Sequence, residues 1–86
     1  MWLAAHHLSI RASGADALFA STLQRSDNPG ADQIRHAIAA VSGAFGYSGC
    51  AGRVAQEFGD HPETAAARMR WARTLAGEAI SHPAAA

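Results

Sequence analysis

The chain has 86 residues, and seven arginines against seven acidic residues leave a formal net charge of +0. That is enough chain for one core with little stability to spare, and no global field draws it to nucleic acid or to an anionic membrane. Cys50, the only cysteine, excludes an internal disulfide and any multi-thiolate metal site, while no apolar run approaches the roughly 20 residues that span a bilayer.

The opening MWLAAHHLSI lacks the positive leader of a signal peptide, so a soluble, cytoplasmic protein without a membrane partner is expected. Trp2, Leu3, Leu8 and Ile10 follow no clean period, and residues 1–13 read as an N-terminal arm.

In SGAD, Ser13 stands three residues before Asp16, the spacing of a helix N-terminal capping box. Leu18, Phe19, Thr22 and Leu23 then recur at helical spacing and predict a helix over 14–25, closed by the turn chemistry of RSDNPG. Ile34, Ile38, Val41 and Phe45 fall at i, i+4, i+7 and i+11, which predicts a helix over 31–45 that Gly46 stops. Ser48 is placed to cap a helix over 49–58, with Val54 and Phe58 inward and Gly59 ending it. Asp60, with Pro62 and Glu63 behind it, is placed to cap a last helix over 61–80, on which Ala65, Met69, Ala72, Ala76 and Ala79 face one way, flanked by Leu75 and Ile80.

No segment alternates as a strand does. The expected fold is all-α: a small orthogonal bundle of four or five helices with a helix-turn-helix-like corner, residues 14–80 forming one domain and 81–86 a flexible tail. Its core should centre on Ile34, Ile38, Val41, Phe45, Val54, Phe58, Met69 and Leu75, with Leu18, Phe19 and Leu23 closing one side.

Residues 49–73 carry the functional question. AGRVAQEFG resembles the first half of a helix-turn-helix DNA-binding unit: Ala55 is small enough for a tight crossing, Val54 and Phe58 fill the angle, and Gly59 makes the turn. The second half departs from that pattern, because an acidic residue, Asp60, follows the glycine where an apolar one is usual. The run CAGRVAQEFGDHPETAAARMRWAR also looks like one found in small uncharacterised helical proteins of actinobacteria, a resemblance that implies no activity. Double-stranded DNA, if it is the partner, would meet Arg53, Arg70 and Arg73 at its phosphates and His61 and Thr64 near the start of the last helix, where Asp60 and Glu63 oppose it. Arg68 lies at the edge of the apolar face, its stem packed and its head placed for an acid such as Asp60.

Other chemistry has less behind it. The five histidines show no ligand spacing, so no metal or cofactor is expected. Cys50 near a helix start has the position of an activated thiol, but an inert buried cysteine is the commoner outcome, and no enzymatic role or small-molecule substrate is inferred. Trp71 reads equally as core and as an aromatic anchor at an interface. The expectation is a non-enzymatic module that binds a protein partner or its own copy as a homo-oligomer, most simply a dimer; the alternative is a dimeric DNA-binding regulator.

Overall fold

The computed structural model describes residues 13–81, with side chains through Ile80. The expected arm up to Ala12, the tail beyond Ser81, and with them His6, His7 and His82, lie outside the described residues. Among the described residues every regular element is helical: α1 over 13–20, a 3-10 turn at Arg25–Asp27, α2 at Ala31–Asp60 and α3 at Pro62–Ser81.

Helix α1 ends five residues earlier than its periodicity predicts. The Ser21 hydroxyl donates to the Leu18 carbonyl at 2.6 Å, and the Leu23 N–H donates to the Ser21 oxygen at 3.3 Å. A serine that bonds locally in this way offers the backbone an alternative to the helix ladder. The carbonyls left at this end are taken by Arg68, which comes from α3. At the other end Ser13 already lies within the helix and is not its cap. RSDNPG turns as expected: the Asp27 carboxylate accepts from the Gln24 N–H at 2.8 Å, and Asn28 takes the left-handed conformation, φ 47°.

Gly30 stands just before the start of α2, and its N–H donates to the Gln33 side chain at 3.0 Å. The break expected at Gly46 is present and divides α2 into two helical segments, but the second resumes at once, without the Ser48-capped turn expected between them. Gly46 has φ 69° and ψ 176°, a region that essentially only glycine enters. Gly49 serves the same bend, because a Cβ there would stand 2.9 Å from the Phe45 Cβ.

Nine buried residues form the core: Ala15, Leu18 and Phe19 of α1, Ile34 of α2, and Ala65, Met69, Ala72, Ala76 and Ala79 of α3. The alanine stripe expected on the last helix is therefore buried throughout, and Leu75 and Ile80 are half-buried beside it. Small side chains on that stripe let α1 come close; a Cβ on Gly14 would stand 3.2 Å from the Ile80 Cδ1. The weight of the core differs from expectation. Leu18 and Phe19 are central, Ile38, Val54 and Leu75 are peripheral, and Phe45 and Phe58 are exposed. Burial along the stripe Ile34, Ile38, Val41, Phe45 falls steadily, since the first half of α2 leaves the core as it approaches Gly46.

Candidate functional site

Of the thirty residues of α2 only Ile34 and Cys50 are buried. Beside the break at Gly46 the helix presents Phe45, 43% exposed, and Tyr47, 73% exposed; Phe58, one helical segment on, is 37% exposed. Two of these rings have partial cover. The Arg53 guanidinium lies 4.0 Å from the Phe45 ring centroid, and Phe58 stacks on Phe19 with centroids 6.2 Å apart. Tyr47 has no aromatic or cationic neighbour among the described residues.

The six residues singled out from the sequence are dispersed. Arg53 sits on the second half of α2, over Phe45. His61 is exposed at the α2–α3 junction, where its N–H donates to the Glu57 carbonyl at 2.7 Å and its own carbonyl accepts from the Ala65 N–H at 2.8 Å. One residue thus closes α2 and opens α3, so Gly59, expected to make the turn, and Asp60, expected to cap α3, are both still inside α2. Prolines at the first helical position need no N–H partner, which lets α3 begin at Pro62 with no intervening loop.

Arg73 projects from the flank of α3 that faces Asp16 of α1. Burial raises the Asp16 carboxyl above its ordinary range, and Arg73 offsets part of that rise. Thr64, Arg70 and Trp71 line hollows between α3 and the 3-10 turn. Arg25 of that turn joins them, a placement that RSDNPG does not signal, because it reports a turn and not what the turn packs on.

Arg68 has the densest set of contacts. Its Nε donates to the Phe19 carbonyl at 2.8 Å, and its Nη2 donates to the carbonyls of Ser21 and Leu23 at 3.0 Å each and of Leu18 at 3.4 Å. Its guanidinium also lies over the Trp71 ring, 5.0 Å from the centroid. The partner expected from the sequence was an acid such as Asp60; the observed partners are the Leu18 and Phe19 carbonyls at the end of α1 and those of Ser21 and Leu23 just beyond it, where the helix dipole favours a cation. Burial lowers the guanidinium's pKa, and nearby Glu57 pushes it back up. Arg35 acts similarly at α3, donating to the Ala79 carbonyl at 3.2 Å while pairing with Asp32.

Cys50 is fully buried, and its thiol is pushed up first by burial and then by Asp16, with Arg53 opposing. Such a thiol is held in its protonated, unreactive form. Among the described residues no cluster of His, Cys, Asp or Glu could hold a metal ion, and no helix is long and apolar enough to cross a membrane.

The chain matches no family model, and neither curated proteins nor solved structures show significant similarity to it. The functional reading therefore rests on the geometry.

Proposed function

We propose that the chain is a non-enzymatic helical interaction module that associates with a second copy of itself, or with a protein partner offering a like surface, through the aromatic side chains beside the Gly46 break. The observation that supports it is the exposure of Phe45 and Tyr47 on either side of Gly46, in a helix that gives the core cluster one buried residue, Ile34. Five of the nine core residues are alanine, so the domain buries few large side chains, and association adds apolar burial that the monomer lacks. A second copy is favoured as occupant because it is always present at the protein's own concentration and binds only the folded form.

Fully burying an aromatic side chain contributes about 1.5–3 kcal/mol. The exposed parts of Phe45 and Tyr47 on each of two copies then contribute about 3–7 kcal/mol, comparable with the low end of association costs of about 4–15 kcal/mol, which points to a weak, concentration-dependent dimer. Light scattering across a range of concentrations should give a mass that rises towards twice the monomer. Tyr47→Glu, which puts a charge on the most exposed ring position, should hold it at the monomer. A wild-type chain that stays monomeric at high concentration and captures no protein partner would sink the proposal.

The second reading is a DNA-binding regulator. In its favour are Arg70 on α3 and Arg25 of the 3-10 turn packed against it; against it are Asp60 at the end of α2 and Glu63 in the first turn of α3. Binding of double-stranded fragments that weakens steeply with salt, and weakens further in Arg70→Ala, is what that reading requires.

A further inference from the structure

We infer that the trench between the Arg25–Asp27 turn and the outer flank of α3 docks a short acidic segment of a partner protein, with apolar residues between its carboxylates. Two adjoining hollows of about 520 and 210 Å³ share Arg25, Ala67 and Trp71 and make one trench running along α3 from Thr64 to Leu75.

The walls combine two kinds of surface. Pro29, Leu75 and the half-buried Trp71 supply apolar contact, and Arg25, Arg68 and Arg70 supply positive charge. No carboxylate lines either hollow. In a chain of net charge +0, that is a concentrated local excess of cations. Another hollow, about 440 Å³ and lined by the end of α1, the second half of α2 and Arg68, also holds two arginines, but there Glu57 stands beside them.

The three arginines have different roles. Arg68 is committed to the α1 carbonyls and acts as a fixed charge stacked on Trp71. Arg25 and Arg70 are exposed, and among the described residues neither guanidinium has a hydrogen-bond or ion-pair partner. Two open guanidinium forks flanking an indole suit carboxylates separated by an apolar side chain.

The ends of the trench set the length of the occupant. Glu63 precedes Arg70 by seven residues and Glu78 follows Trp71 by seven, so each returns to the same side of α3 two turns away, about 10.5 Å along the axis. A long polyanion laid along the trench meets like charge at both ends, whereas a segment with two or three acids stays within the cationic part. This is the reason for choosing an acidic peptide over a nucleic acid.

The test uses the full chain and a fluorescein-labelled peptide of alternating glutamate and leucine, followed by fluorescence anisotropy at two salt concentrations. The controls are the same peptide with glutamine for glutamate and a short random-sequence DNA duplex. The acidic peptide should bind, the glutamine peptide should not, and Arg25→Gln with Arg70→Gln should weaken binding about tenfold or more, in line with the loss of charge-assisted hydrogen bonds. Both substituted side chains are exposed and, among the described residues, make no hydrogen bond or ion pair, so circular dichroism should be unchanged. Equal binding of both peptides, an unaffected double variant, or tighter binding to the duplex would each overturn the inference. Light scattering of the double variant separates this site from the aromatic surface of α2, because the oligomeric state should not change.

Discussion

Replacing Arg68 with methionine keeps the length and packing of the stem and removes the fork. Three hydrogen bonds of 2.8–3.0 Å to backbone carbonyls are lost, together with a longer one of 3.4 Å. A hydrogen bond to a charged group contributes about 1.5–3 kcal/mol. Against that total stand about 2 kcal/mol of side-chain entropy regained by freeing the arginine, and partial access of water to carbonyls that are only half-buried. The net expectation is a loss of about 3 kcal/mol. A domain of this length has about 4–13 kcal/mol in total, so the loss is a large fraction of its stability. Urea unfolding followed by circular dichroism should show a lower midpoint with an unchanged slope. Arg68→Lys, which keeps the charge but offers one compact ammonium to several carbonyls, should recover only part of the loss. A methionine variant within about 0.5 kcal/mol of the parent, the range of an ordinary surface substitution, would refute the capping role given to Arg68.

Gly46→Ala should cost about 1–3 kcal/mol, read as a lowered midpoint in thermal or urea unfolding, because alanine must hold a positive φ there; an unchanged midpoint would mean the bend relaxes freely. Asp16 carries a raised pKa, so its neutral form is favoured in the fold: that stability is fully present below the ordinary carboxylate range and is lost as pH rises through the raised value. Asp16→Asn should accordingly stabilise the chain at neutral pH and leave it unchanged in acid, and a variant less stable at neutral pH would contradict the burial argument. Cys50, also raised, favours folding up to the ordinary thiol range and loses that contribution above it; native protein should react slowly with a thiol reagent and only as fast as it opens.

The helical class and the buried alanine stripe of α3 could be read from spacing, because period and small-residue placement are local properties of the chain. The end of α1 could not be. Leu23 keeps the helical period, but Ser21 competes locally and Arg68, 45 residues further on, takes the carbonyl of Leu23. Phe45 and Phe58 satisfied an amphipathic pattern and are nevertheless exposed, since the pattern gives the face of a helix and not whether anything is packed against it. Gly46 was legible as an interruption, but glycine alone does not distinguish a stop from a bend with immediate resumption. For the candidate sites, Arg70 could be picked out on the polar side of α3, while Trp71 read equally as core and as an interface anchor and is half-buried. Arg25 was hidden because its role depends on which helix the turn lies against.

Drawn straight, the thirty residues of α2 would make a rod of about 45 Å, half as long again as α3 at about 30 Å. The bend at Gly46 lets one continuous stretch of chain supply two walls of a small domain, Ile34 entering the core from one half while Val54 and Phe58 pack from the other. Phe45 and Tyr47 stand on either side of that bend, so the distance between their rings is fixed by the angle between the two halves. A partner that grips both rings is therefore reading an angle, and a change at Gly46 would alter recognition even with every residue of the contact surface left in place.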